Sequence, residues 1–258
     1  MTEKPKVTIV TPSFNQACFL EETMRSVLEQ DYPNIEYIVI DGGSTDGSAE
    51  IIQKYESQLA YWQSQKDKGQ TDAINQGFAR ASGEIFAWLN SDDILLPGAV
   101  TAAVRQLQTH PEVGMVYGDC LWINADGKKI GNFPAAQTDL KKLRRGYVHI
   151  PQQASFFRAD LWKKVGPLDD SFYFAMDYDL WTRLAAEAPL LYIPELWAAF
   201  RLHGDAKSIA EDDRCWPEML RVHYRDGGKK LSLMTLKYTV RKAVQPLWIW
   251  LRRQRIKN

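Results

Sequence analysis

Phe86-Ala87-Trp88-Leu89-Asn90-Ser91-Asp92-Asp93 is the stretch on which the reading of this chain turns. An apolar run of strand character ends on two adjacent carboxylates, and helix-like sequence follows from Pro97. In an open α/β sheet, ligands lie beyond the carboxyl ends of the strands. Two acidic side chains placed there repel each other and lose hydration, which calls for a compensating positive group. A hard divalent cation such as Mg²⁺ meets that need, because it takes one or two carboxylates together with substrate phosphate oxygens. The pair alone admits a second reading equally well, in which Asp92 or Asp93 caps the following helix and complements its dipole.

The same strand-then-helix alternation runs back to the N-terminus. Lys6 to Thr11 reads as a β-branched strand, and residues 16–30 carry a helical stripe at Phe19, Leu20, Met24, Val27 and Leu28. Ile35 to Ile40 is a nearly continuous apolar strand, the pattern of a sheet buried on both faces. The turn Asp41-Gly42-Gly43-Ser44-Thr45-Asp46-Gly47 follows, with Asp46 expected to cap a helix running to Tyr55. A strand near Leu59–Gln63, a helix over Thr71–Arg80 and the strand Glu84–Leu89 complete the repeat. Such alternation predicts an α/β fold with mostly parallel strands and helices on both faces.

Beyond Asp93 the pattern is mixed. Leu95–Gln108 reads as a helix, Val113–Tyr117 as a strand, and Asn124-Ala125-Asp126-Gly127 as a hairpin turn. Ala154–Phe157 is a short strand, Asp160–Val165 and Tyr178–Ala188 are helices, and Tyr192–Leu202 is extended apart from a turn at Pro194. No linker divides residues 1–226, which are expected to form one domain, with 227–258 as a helical appendage.

Composition narrows the class. Hydrophobic residues make up 45% and charged residues 25% of the 258, the balance of a soluble globular protein. Cys18, Cys120 and Cys215 show no CxxC spacing, so neither a disulfide framework nor a zinc site is indicated, which favours a reducing compartment. The polar N-terminus has no secretory signal and no apolar run reaches spanning length, so a cytoplasmic location is expected. The net charge of zero hides an asymmetry: residues 227–258 hold nine Lys or Arg and no acid, leaving the rest at −9. The acidic body argues against a nucleic-acid partner. Basic residues beside Trp248, Ile249 and Trp250 suit a peripheral contact with the inner, anionic face of a membrane. Packing of this tail on the body or on a second subunit is the other reading, and Pro246 would interrupt any single long helix.

Several further residues could carry chemistry. Thr11-Pro12-Ser13-Phe14-Asn15 follows the first strand, where a dinucleotide-binding fold would place GxGxxG; that motif is missing, as is a P-loop. Asp41 ends the second strand, where its carboxylate could accept from a nucleobase N–H or instead organise its own turn. Asp67, before the third helix, could add an acceptor near the base or ribose. Asp177 opens a helix and could act as a general base, its pKa raised by desolvation and by Asp179; complementing the helix dipole is the alternative. Arg201 could pair with a diphosphate, and His203 stands two residues on.

Taken in order, TIVTPSFNQ, IDGGSTDGS, DKGQTDAINQGFARASGE, LNSDDILLPGA, PQQASFF, MDYDLWTRL and FRLHG resemble a family 2 glycosyltransferase over residues 5–205. The resemblance implies a GT-A fold and inverting transfer of a sugar from a nucleotide-diphosphate donor, with Mn²⁺ or Mg²⁺ as cofactor. It places the nucleoside on Thr11, Pro12, Ser13, Asn15 and Asp41, near Asp67, and the donor also on Asn90, Ser91 and Arg201. It gives Asp92, Asp93 and His203 to the metal and makes Asp177 the base. Asn90 replaces the first acid of the family's metal motif, and Met176 the acid that often precedes the base. These departures keep open a non-catalytic donor-binding protein of a polymer-assembly complex. A glycan or lipid-linked acceptor, in the assembly of bacterial surface polysaccharide, is the partner the resemblance implies.

Overall fold

A computed structural model describes residues 4–204, 215–240 and 242. Much of the basic tail, including Pro246, Trp248 and Trp250, therefore lies outside the described residues.

The first half folds as the alternation predicts. Strands β1 (Val7–Ser13), β2 (Ile35–Asp41), β3 (Tyr61–Ser64) and β4 (Ile85–Trp88) alternate with helices α1 (Ala17–Leu28), α2 (Ser48–Lys54) and α3 (Gln70–Arg80). All three pairings among these strands are parallel, in the order β3-β2-β1-β4. Successive strand residues face opposite layers. Val10, Ile38, Ile40, Phe86 and Trp88 pack towards α3, while Ile9, Tyr37, Val39 and Ala87 pack towards α1.

The second half adds β5 (Ile94–Leu95), α4 (Ala99–Thr109), β6 (Met115–Ile123), β7 (Lys129–Asn132), α5 (Leu140–Leu143), β8 (Ser155–Arg158), α6 (Ala159–Val165), α7 (Met176–Glu187), β9 (Leu190–Arg201) and α8 (Cys215–Arg225). The sheet continues β4-β8-β6-β9-β5, with β7 hydrogen-bonded to β6. Here β8 runs antiparallel to both β4 and β6, while β6 and β9 are parallel. The outcome is an α/β architecture with a mixed sheet between helical layers.

Three local expectations change. Ile94–Leu95 is a short strand on β9, not the first turn of a helix; α4 starts at Ala99 after Gly98 in the left-handed region. Pro194 does not break the extended segment: β9 runs through it. The register steps from Tyr117↔Tyr192 to Asp119↔Leu196, so the bulge absorbs the proline's missing N–H. Asp46 also works from one position further out than expected. Its carboxylate accepts from Ser48 N at 3.1 Å and from Ala17 N at 2.8 Å, serving the starts of α2 and α1 together.

The tight fit of α3 on β1 yields a prediction with an unusual sign. Glycine inside a helix normally costs about 1 kcal/mol relative to alanine. At Gly77, however, an added Cβ would overlap the isopropyl group of Val10. Gly77→Ala is therefore expected to destabilise by about 1–3 kcal/mol in a urea melt.

Contacts do not stop at residue 226. His223 of α8 hydrogen-bonds Ser232 Oγ at 3.0 Å, and Met234 is buried beneath Gly146. Lys237 lies over the Tyr147 ring. Among the described residues, no helix is long and apolar enough to cross a membrane.

Candidate functional site

The carboxyl ends of β1, β2 and β4 open on one edge of the sheet, and the residues singled out from the sequence gather there. Asp92 and Asp93, although adjacent, have opposite environments. Asp93 is fully buried. Its Oδ1 accepts from Arg201 N at 2.9 Å, and its Oδ2 from Gln153 Nε2 at 2.9 Å and Asn90 Nδ2 at 3.3 Å. Burial, reinforced by the charge of Asp92, pushes its carboxyl well above the usual range. Asp92 is partly exposed, and its Oδ2 lies 3.0 Å from His203 Nε2. Both carboxylates were expected at the metal, but the geometry offers Asp92 and His203 for that role and uses Asp93 to tie β4 to β9. Neither acid caps α4, whose N-cap is Gly98. Among the described residues, no group of three or more His, Cys, Asp or Glu side chains is placed to hold a metal ion.

Arg201 requires a correction. It was expected to face a diphosphate, yet it is 1% exposed and its guanidinium is already engaged. Nε donates to Asp92 O at 2.9 Å, Nη1 to Ala125 O at 2.9 Å, and Nη2 to Glu22 Oε2 at 2.6 Å, while Phe19 stacks on it at 4.8 Å. The side chain holds the acidic loop from behind. His203 packs on the same Phe19 ring in a tilted contact, centroids also 4.8 Å apart, which holds the imidazole against Asp92.

At the ends of β1 and β2 the turn-organising reading of Asp41 is the one observed. Its oxygens accept from Gly43 N, Ser44 N, Ser44 Oγ and Ser64 Oγ at 2.5–3.1 Å. Three of these bonds fall on Oδ2 and one, from Ser44 Oγ, on Oδ1, so Oδ1 is the oxygen with acceptor capacity to spare. Asn15, at φ 51°, accepts from Thr45 N at 2.9 Å and clasps the two loops together. Thr11 is buried on the Tyr37 hydroxyl at 2.9 Å, and Pro12 is buried beside it. Ser13 differs from these: its Oγ is buried without a hydrogen-bond partner. Asp67 presses against Gly42 and accepts from Gly69 N at 2.8 Å. Burial, with Asp72 and Asp41 close by, raises its pKa.

The start of α3 joins the acidic loop to the expected base. Gln70 Nε2 donates to Asn90 Oδ1 at 2.7 Å, and Thr71 Oγ1 lies 2.8 Å from Met176 Sδ. Ser91 is buried in the same loop. Asp177 follows Met176 in the first turn of α7, half-buried, with Oδ1 accepting its neighbour's amide, Tyr178 N, at 2.7 Å. Asp179, two residues on, is a buried carboxylate paired with Arg183 and Arg225. Trp162, Trp181 and Trp197 are all buried.

Three supports went unseen in the sequence. Gln152 and Gln153 bind Trp88 O and Asp93, so the PQQ string is structural scaffolding for the acidic loop. Glu218 of α8 accepts from Tyr173 N at 3.1 Å, Phe174 N at 2.7 Å and Ala175 N at 2.8 Å, clamping the chain as it enters α7. No local signal links Glu218 to a turn more than forty residues away. Glu218→Ala is expected to cost about 1–2 kcal/mol in a thermal melt, and Glu218→Gln to recover part of it.

Comparison with known proteins fits this geometry. Residues 8–167 match the family described as "Glycosyl transferase family 2". An uncharacterized glycosyltransferase of Mycobacterium tuberculosis is 35% identical over 242 residues, 90% of either chain. One from Nostoc is 28% identical over 220 residues, covering 77% of this chain and 65% of that one. Among solved structures, Staphylococcus aureus TarS 1–349 with UDP-GlcNAc aligns with a TM-score of 0.68 at 17% identity, over 84% of this chain and 65% of that one. A mannosyltransferase of Pyrobaculum calidifontis, with GDP-Man and Mn²⁺, aligns at 0.65 and 20% identity, over 85% of this chain and 65% of that one. The chain thus spans just under two thirds of these solved chains, which share its fold. With the family match covering more than half of its length, this chain belongs to glycosyl transferase family 2 and is a glycosyltransferase of GT-A fold.

Proposed function

We propose that this chain transfers a hexosyl group from a nucleotide-diphosphate sugar to an acceptor hydroxyl with inversion at the anomeric carbon. The observation that carries this reading is the convergence of the Asp92–His203 pair and Asp177 on either side of the start of α3. The orphaned Ser13 hydroxyl at the end of β1 offers a donor or acceptor to the nucleoside moiety. TarS and the Pyrobaculum calidifontis mannosyltransferase, both holding nucleotide sugars, support a donor of that class.

The donor set fits a divalent cation. One carboxylate and one imidazole would leave positions for diphosphate oxygens and water; the imidazole favours a transition-metal ion such as Mn²⁺ over Mg²⁺, which prefers oxygen ligands. Bound there, the ion would supply Lewis-acid stabilisation of the leaving nucleoside diphosphate. Asp92 and His203 would hold it, Asp93 and Arg201 would keep their loop in place, and Asn90 would meet the donor as a neutral hydrogen-bonding group. Asp177 takes the proton of the acceptor hydroxyl as that oxygen attacks the anomeric carbon. The bond to the diphosphate breaks on the opposite face in a single displacement. The setting is assembly of cell-surface polysaccharide or glycolipid at the inner face of the cytoplasmic membrane.

A thermal-shift screen of UDP, GDP and dTDP sugars, each with and without Mn²⁺, tests the donor and metal together, since stabilisation follows affinity. A cation-dependent shift with one nucleotide, followed by transfer or slow donor hydrolysis, is expected. Binding without any turnover would instead favour the donor-binding scaffold that Asn90 and Met176 leave open.

A further inference from the structure

Residues 233–240 are helical, and this helix has two apolar faces. Met234 and Tyr238 pack on the body, whereas Leu233, Leu236 and Val240 are 45%, 59% and 55% exposed on another side. Leu231, just before the helix, is 97% exposed. Leucine at such exposure is unfavourable unless something covers it. Around this apolar strip the exposed charges are mostly basic, Asp139 being the exposed acid among them. Lys229 and Lys230 precede it, and α5 with its following turn contributes Lys141, Arg144 and Arg145 from the body. Contacts join the two segments into one surface: Lys237 Nζ donates to Arg145 O at 3.1 Å, and His223 Nδ1 meets Arg144 O at 3.2 Å. The nearby acids are occupied, Asp139 by Lys142 N and Asp226 by Arg225.

We infer that the helix over 233–240 and the α5 turn form one docking face for an anionic lipid surface, from which a lipid-linked acceptor is presented to Asp177. Exposed leucines within a basic rim match the two forces that hold a segment in a membrane interface, apolar insertion and attraction to anionic headgroups. A second copy of the chain fits less well, because a two-fold contact would set this basic rim against itself. The site lies one helix away. Leu143 of α5 is fully buried against α7, and its carbonyl accepts from the Tyr178 hydroxyl at 2.7 Å, one residue beyond Asp177. The face thus sits directly behind the helix that carries the base. The choice of a lipid-linked acceptor rests on the transfer reading given above; the docking face does not.

The test is co-sedimentation of the full chain with vesicles of phosphatidylcholine alone or with about one third phosphatidylglycerol. The protein should pellet with the anionic vesicles, less so as salt rises, and remain in solution with neutral ones. Attraction worth about fivefold per basic residue predicts that R144E/K229E/K230E binds at least roughly 100-fold more weakly. L233S/L236S should also release the protein, with its melting temperature and its nucleotide-induced thermal shift unchanged. Equal pelleting of wild type and both variants would overturn the inference. So would failure of the wild type to pellet, or a wild-type dimer that L233S/L236S converts to monomer. Vesicle binding with no turnover on any donor would leave the face standing and remove the transfer reading instead.

Discussion

Asp177→Asn is expected to lower turnover by about 10²–10⁴-fold, the usual contribution of a positioned general base, while leaving the cation-dependent thermal shift with the donor nucleotide intact. The substitution keeps the shape of the side chain and an oxygen able to accept from Tyr178 N, which Asp177 Oδ1 does at 2.7 Å. The start of α7 should therefore stay folded, held from outside by Glu218 on three successive amides. What would disappear, on the proposed reading, is the site that receives the acceptor proton. On that reading the nucleotide is held elsewhere, at the ends of β1, β2 and β4, by loops that do not include α7. The split between turnover and donor binding is thus the informative measurement. Equal loss of both would mean that Asp177 only shapes the pocket, and a simple dipole partner of α7 would leave turnover nearly unchanged. Met176 bears on the same point. It is buried on Thr71, so an acid there would be desolvated, whereas Asp177 is half-buried.

The sequence made the parallel half of the fold legible because its strands are buried on both faces and its helices are amphipathic, so period and composition agree. Ile35–Ile40 and Phe86–Leu89 could hardly be anything else. The antiparallel half was less legible where tertiary pairing overrides local pattern. Ile94 and Leu95 extend because β9 offers them a ladder, and Pro194 stays in its strand because a bulge absorbs it. Within the site, residue types were readable but their engagement was not. Asp92 and Asp93 look alike in the chain, and only the approach of His203 and of the Arg201 backbone, more than a hundred residues on, separates the outward acid from the buried one. Asp41 shows the converse. Its Asx-like turn was visible locally, because Gly43 and Ser44 are its immediate neighbours.

Arg201→Met should destabilise the protein by about 3–5 kcal/mol, because buried carbonyls left without a donor cost about 1–3 kcal/mol each. For a domain of this size that corresponds to a drop of roughly 6–20 °C in Tm. The side chain is 1% exposed, and its removal leaves the carbonyls of Asp92 and Ala125 without their donors in a region closed to water. Methionine fills much of the volume and can still lie on Phe19, so the loss reports hydrogen bonds more than a cavity. Glu22, the charged partner, is 56% exposed, so Glu22→Gln should cost under about 1 kcal/mol. The asymmetry between the two variants is the signature of a structural guanidinium. An arginine whose purpose was to grip a diphosphate would behave in the opposite way, with donor affinity falling and the melt of the free protein unmoved. Because Asp92 O is one of its acceptors, Arg201 also holds the main chain that aims the Asp92 carboxylate at His203. Loss of cation-dependent donor binding in Arg201→Met should therefore accompany the loss of stability, and should be restored, together with Tm, in Arg201→Lys only as far as lysine can reach the same carbonyls.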